Sequence, residues 1–204
     1  MQWILACFLF QACNAIDPTH TNDVPVTYDS LVTPIALPNQ YINRKDSFLS
    51  FHQDTLYYKN AKYSGYIFDQ FDNGDSAFLG TYLNGIEEGV LKKWYPNNQL
   101  AEYRLYHGGK KVGKHIGFWE DGKPKFEFNF IAGELHGVAN EWYRNGKAYK
   151  SFHYKMGYEN GSQKMWWKNG VIRANYAVKQ GRRYGLIGLK LCMTPQDSID
   201  FKVK

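Results

Sequence analysis

Residues 141–147 read Glu-Trp-Tyr-Arg-Asn-Gly-Lys, EWYRNGK: two large aromatics side by side, one spacer, then Asn-Gly. Adjacent aromatics can wall a ligand site, or they can mark the two faces of one strand running into a tight turn. The stretch is not unique, and that decides its reading. Glycines recur at Gly65, Gly89, Gly113, Gly137, Gly161 and Gly185, each 24 residues after the last. With each of these as position 1, position 6 reads Gln70, Trp94, Phe118, Trp142, Trp166, and position 7 reads Phe71, Tyr95, Trp119, Tyr143, Trp167. Positions 9 and 10 read Asn73-Gly74, Asn97-Asn98, Asp121-Gly122, Asn145-Gly146 and Asn169-Gly170.

Pairs of this kind tolerate positive φ at both central positions of a type I′ turn, the strongest short-range hairpin signal. The second half of each unit alternates with period two, most clearly in FEFNF, where Phe126, Phe128 and Phe130 share a face. A second glycine follows at Gly85, Gly109, Gly133, Gly157 and Gly181. Each unit therefore reads as strand, Asn-Gly turn, strand, Gly turn. A lone hairpin cannot bury an apolar face, so the units are expected to stack edge to edge. The predicted fold is all-β: an elongated, twisted, antiparallel single-layer sheet of stacked 24-residue hairpins. Trp142 and Tyr143, consecutive in a strand, should point to opposite faces and so not wall one pocket. Trp142 should then stack with Phe118 and Trp166, and Tyr143 with Trp119 and Trp167.

Composition agrees. Aromatics make up 17% of the 204 residues, which favours pleated, half-buried surfaces, and 44% hydrophobic with 22% charged is a soluble balance. The net charge of +6 is spread singly or in pairs such as Lys110-Lys111, so nucleic acid is not an expected partner.

All 19 glycines lie between Gly65 and Gly188, whereas Pro18, Pro25, Pro34 and Pro38 precede residue 40. This divides the chain into a leader at 1–13, an extended proline-bearing tether at 14–47, an N-terminal half-repeat at 48–64, five repeats at 65–184, and a C-terminal cap and tail at 185–204. The apolar run Trp3–Phe10 resembles the core of an export signal and is too short to span a bilayer. Cleavage after Ala15 and lipidation of Cys13 are alternative outcomes. Either exports the protein, and the second holds it in the cell envelope by a lipid on Cys13, its only expected contact with the membrane. Three cysteines build no disulfide framework, and Cys192 reads as a small apolar strand residue.

The units GVLKKWYPNNQLAEYRLYHGGKKV, GVANEWYRNGKAYKSFHYKMGYEN and GSQKMWWKNGVIRANYAVKQGRRY resemble MORN-repeat variants of the bacterial YwqK-type, antitoxin-labelled family. The resemblance covers residues 55–188. It implies a hairpin array used for protein contacts, with an antitoxin or immunity role. Asn98, Gln70 and the segment Gly157–Gly161 depart from the repeat pattern and are expected to make locally irregular hairpins.

Nothing in the sequence points to catalysis. No carboxylate pair repeats, no nucleophile or phosphate-loop motif occurs, and His107, His115, His136 and His153 fall at different phases of the repeat. No cofactor or metal is expected. The ladder Phe71, Tyr95, Trp119, Tyr143, Trp167 is the candidate interaction surface, with Trp119 and Trp167 taken as exposed. A partner protein is the first expectation for its ligand, and cell-wall glycan or anionic lipid the alternative.

Overall fold

The computed structural model describes residues 36–188. The leader with Cys13, the tether up to residue 35, and residues 189–204 with Cys192 lie outside them. At the N-terminal end β1 (Tyr41–Asn43) is followed by a small three-stranded sheet of β2 (Leu49–His52), β3 (Thr55–Tyr58) and β4 (Ala61–Lys62). The array begins with β5 (Gly65–Gln70), β6 (Ser76–Leu83), β7 (Ile86–Trp94) and β8 (Leu100–His107). It continues through β9 (Lys110–Lys111), β10 (Gly113–Phe118), β11 (Pro124–Ile131), β12 (Glu134–Leu135) and β13 (Gly137–Trp142). It ends with β14 (Ala148–Lys155), β15 (Tyr158–Trp166), β16 (Ile172–Lys179) and β17 (Arg182–Leu186).

These strands form one long open sheet in the order β1-β5-β6-β7-β8-β10-β11-β13-β14-β15-β16-β17, with β9 and β12 as short arms on β8 and β11. At the usual strand spacing the array is about 50 Å long. Every pairing is antiparallel except that of β1, which lies parallel to β5 through Ile42↔Ile67. Residues 41–43, assigned above to the tether, therefore close the N-terminal edge of the sheet. The boundary expected between 184 and 185 falls inside β17.

The two turns of the unit exchange roles relative to the sequence reading. At Asn-Gly the loop has three residues: Gly74 N–H donates to Phe71 O (2.9 Å), and Phe71 N–H donates to Asp75 O (2.9 Å). This is a type I turn followed by a bulge, in which only position 10 has positive φ, at Gly74, Asn98, Gly122, Gly146 and Gly170. Position 9 is Asn or Asp for another reason: its Oδ1 accepts the backbone N–H of position 11 in all five units, at 3.0–3.2 Å. The type I′ turns are the others. Asn84-Gly85, Gly108-Gly109, Ala132-Gly133, Met156-Gly157 and Gln180-Gly181 all have positive φ at both residues.

The expected irregularities are absent. Asn98 takes φ +62, which asparagine tolerates, and its turn keeps both hydrogen bonds of the others (Tyr95 N to Gln99 O 2.9 Å, Asn98 N to Tyr95 O 3.0 Å). Gln70 bonds its own turn at Gly74 O (2.9 Å), and Gly157–Gly161 passes into β15 as the equivalent segment does in β7.

After each type I′ turn the chain makes a two-residue arm and then bulges. Between the pairs Phe152↔Gln163 and Tyr154↔Glu159, His153 faces the three residues 160–162. The glycine at position 1 sits in this bulge, with φ between +62 and +80 at Gly89, Gly113, Gly137 and Gly161. The bulge lifts the arm onto that of the preceding unit: the turn N–H groups of Gly85, Gly109, Gly133 and Gly157 donate to Tyr63, Glu87, Lys111 and Leu135 O at 2.6–2.9 Å. β17 lacks the bulge and pairs in register with β16, from Lys179↔Arg182 to Asn175↔Leu186.

Position 3 faces the core in every unit: Ile67, Leu91, His115, Ala139 and Gln163 are all buried. The core has two clusters. Leu56, Tyr63, Ile67, Phe78, Tyr82, Leu91 and Tyr106 form one at the N-terminal end, and Phe152, Ala174, Tyr176 and Val178 form the other near the C-terminal end. Units 3 and 4 join them.

Candidate functional site

Between the two core clusters lies an open groove of about 600 Å³, lined by Trp119, Phe126 and Phe128 from unit 3 and by Trp142, Tyr143 and Tyr149 from unit 4, with Lys125, Arg144, Lys168 and Glu141 among them. Trp142 and Tyr143 therefore do wall one cavity, contrary to the alternation argument. Strict alternation stops one residue too early for that argument to hold. The register shifts between Glu141 and Trp142, β13 ends at Trp142, and Tyr143 already carries the turn hydrogen bonds.

The groove floor depends on Gly117. It pairs with Phe126 across β10 and β11, and a Cβ on it would overlap the Phe126 ring, so the ring lies over the glycine. Phe126 and Phe128 then stack at 4.9 Å with 15° between planes. Position 5 is Asp69, Lys93, Glu141 or Met165 in the other units, which leaves no such bare patch. Glu141 forms a 3.1 Å ion pair with Lys150. Burial opposes the Lys150 charge, but the Glu141 carboxylate outweighs it and holds the lysine above its ordinary value. That pair neutralises the groove's one carboxylate, and Lys125, Arg144 and Lys168 leave the lining positive.

The groove also sits where the repeat omits its staples. Between units 2 and 3, Tyr95 Oη donates to Phe118 O (3.1 Å) and Asn97 Nδ2 to Glu120 O (3.0 Å). Between units 4 and 5, Tyr143 Oη donates to Trp166 O (2.9 Å) and Asn145 Nδ2 to Lys168 O (3.4 Å). Both junctions also carry a polar plug at position 3. His115 Nε2 lies 3.2 Å from Leu105 N and 2.9 Å from Leu105 O, and Gln163 accepts from His153 N (3.2 Å) while donating to His153 O (2.8 Å). Gln163 serves both groups of a backbone pair that the bulge has separated from the ladder, whereas the single His115 Nε2 either donates to Leu105 O or accepts from Leu105 N, according to its tautomer. Between units 3 and 4 the corresponding residues are Trp119, Asp121 and Ala139. None can make these contacts; Asn129 Nδ2 donates to Val138 O (3.2 Å) and Arg144 lies 3.8 Å from Glu120 across the junction instead, and the Trp119 indole Nε1 is buried with no partner.

The ladder named from sequence is therefore only partly the site. Phe71, Tyr95, Trp119 and Tyr143 are half-buried, and Trp167 is exposed at 50% with Arg173 over its ring at 4.5 Å. Trp119 is half-buried rather than exposed. The expected stacking of rings along the ladder is absent: Tyr143 packs on Tyr149 of its own hairpin (5.0 Å), and Trp119 carries Lys125 Nζ at 4.8 Å. Only Trp119 and Tyr143 of the ladder reach the groove. Trp142, Phe126 and Phe128 were read from the sequence as strand-face residues rather than site residues, and Tyr149, Lys125, Arg144 and Lys168 were not named. Their signal was a second period of 48, with Tyr95/Tyr143, Asn97/Asn145 and His115/Gln163 in phase and Trp119, Asp121 and Ala139 between.

Among the described residues no group of three or more His, Cys, Asp or Glu side chains is arranged to hold a metal ion, and no helix is long and apolar enough to cross a membrane. No family model matches the chain, and no curated protein matches it.

Proposed function

We propose that the array is a non-catalytic scaffold that binds a partner protein through the groove between units 3 and 4. The observation that carries this reading is the concentration of six aromatic side chains and an unpaired indole N–H at a junction that lacks the tyrosine and asparagine staples of its two neighbours. Large aromatics with basic neighbours are the side chains that dominate protein contacts. The likeness to MORN-repeat variants of the YwqK type points the same way, and an antitoxin or immunity role is the form it gives the proposal. Export through the leader at 1–13, with or without lipid on Cys13, would set this contact in the cell envelope.

A cage for a quaternary ammonium group, as in choline-binding hairpin repeats, fits less well. The Trp119 ring already carries Lys125, and Arg144 and Lys168 add further positive charge at the lining. Anionic lipid would be met by a flat basic surface, whereas these cations line a concavity.

The test is a photocrosslinking residue placed at Trp142, with Tyr158, 80% exposed on another hairpin, as the control position. The expected result in the native envelope is a protease-sensitive adduct from position 142 alone. A glycosidase-sensitive adduct, equal adducts from both positions, or none from position 142 would overturn the proposal.

A further inference from the structure

Resting on that reading, we infer that the partner presents an acidic, extended segment to the groove, with an apolar side chain on the Phe126–Phe128 stack. Charge carries the argument. Lys125, Arg144 and Lys168 come from the three-residue turns of units 3, 4 and 5 or from beside them, so they are spaced along the direction in which the hairpins stack. Among the described carboxylates, Glu120 is the one paired with a groove cation, 3.8 Å from Arg144. Glu141, within the groove, is already held by Lys150. A neutral ligand would leave Lys125 and Lys168 without a carboxylate and Arg144 with only its long contact to Glu120, whereas acidic side chains would satisfy them by charge-assisted hydrogen bonds.

The floor sets the remaining chemistry. The stacked Phe126 and Phe128 rings offer an apolar area without a hydrogen-bonding group, which suits an aliphatic or aromatic side chain. The Trp119 ring lines the groove beside this stack, so its indole resonance reports on occupancy. Alternating acidic and apolar side chains on an extended backbone supply both sets at the strand repeat.

Three probes test this on the full chain. The first is a synthetic decapeptide alternating Glu with Leu and Phe, the second its twin with Gln for every Glu, and the third an oligoglucuronate of similar length. Binding is read on the ¹⁵N-labelled indole resonances, with Trp119→Phe assigning its own. The acidic peptide should move the Trp119 indole signal and bind at least tenfold more tightly than its twin. Lys125→Ala, Arg144→Ala and Lys168→Ala should each weaken it several-fold, and raised salt should weaken it further. All three side chains reach solvent, so these variants should keep the wild-type spectrum away from the groove. Equal binding of the twin, shifts at other indoles but not Trp119, or no binding at millimolar peptide overturns the acidic-segment inference. It leaves the protein-partner reading intact if the position-142 adduct still forms. Binding of the oligoglucuronate in place of the peptide overturns both.

Discussion

The junction between units 4 and 5 and the junction between units 3 and 4 use the same kinds of hairpin, turn and bulge, and differ in the side chains that bridge them. Tyr143, Asn145 and Gln163 join one pair of units by hydrogen bonds to backbone; Trp119, Asp121 and Ala139 at the equivalent positions of the other make none of them. In a one-dimensional array each unit is held by its neighbours, so an unstapled junction is a local weakness. Its position between two core clusters, and its orphaned indole, tie that weakness to the groove. The junction between units 1 and 2 lacks the tyrosine as well, with Phe71 in its place, but there the Thr81 hydroxyl bonds Glu88 O and Val90 O across the bulge. Asn129 at the equivalent position bonds Val138 O, so what alternates along the array is the tyrosine staple, present at the second and fourth junctions.

The largest effect should come from breaking a stapled junction at its plug. Gln163 is fully buried and serves both backbone groups of His153, which face three bulge residues instead of a ladder partner. Gln163→Ala leaves an N–H and a C=O without those bonds, a loss of about 3 kcal/mol. For a chain of this size that lowers the melting temperature by about 6–12 °C. Calorimetry on the variant measures it; a drop under about 2 °C would show that the plug is dispensable.

Writing the stapled pattern into the open junction should have a smaller effect of opposite sign. Trp119→Tyr with Asp121→Asn supplies a hydroxyl for Trp142 O and an amide for Arg144 O, by analogy with Tyr143 and Asn145 one unit on. The new tyrosine bond alone is worth about 1 kcal/mol, so the melting temperature should rise by about 2–4 °C. The same change removes the free indole donor and draws the hairpins together. Crosslinking from position 142 should therefore fall as stability rises. If stability rises while crosslinking is unchanged, the open junction is not what makes the groove a site.

The period, the hairpin and the open single sheet were legible because each rests on a residue type repeated in phase. Position 9 shows the limit. Asn and Asp marked the right place for a turn, but the same pair of letters serves a type I′ turn and a type I turn with a bulge. The choice lies in which backbone groups the side-chain oxygen reaches. The type I′ turns instead carry Asn84, Gly108, Ala132, Met156 and Gln180 at their first central position, no consistent residue, so only the glycine after each was visible. The site was hidden for a related reason. Alternation places side chains only where the ladder is regular, and the register shift after Glu141 brings Trp142 and Tyr143 to one groove. Gly117 looked like any other glycine in the sequence, and its role appears only once Phe126 is known to pair with it.

The two plugs also differ from each other, and pH should separate them. His115 is 2% exposed among the Tyr106 and Phe130 rings. Burial pushes its pKa below the ordinary 6.5, with Arg104 and Lys111 adding to the effect against a partial offset from the Leu105 backbone bond. The unfolded chain therefore binds the proton more tightly than the folded one. Stability is intact above about pH 6.5 and declines as pH falls below it, where the unfolded state takes up protons that the fold resists. Gln163 fills the equivalent place with an amide that does not titrate. A glutamine at 115 offers an acceptor and a donor on separate atoms, as Gln163 does, so His115→Gln should at least match the wild type near pH 8 and gain on it progressively below pH 6.5. Other groups that titrate in this window are common to both proteins and cancel in the difference between their melting curves. Curves that stay parallel from pH 8 to pH 5 would show that His115 is protonated in the fold as readily as outside it. The junction between units 2 and 3 would then owe nothing of its acid sensitivity to its plug.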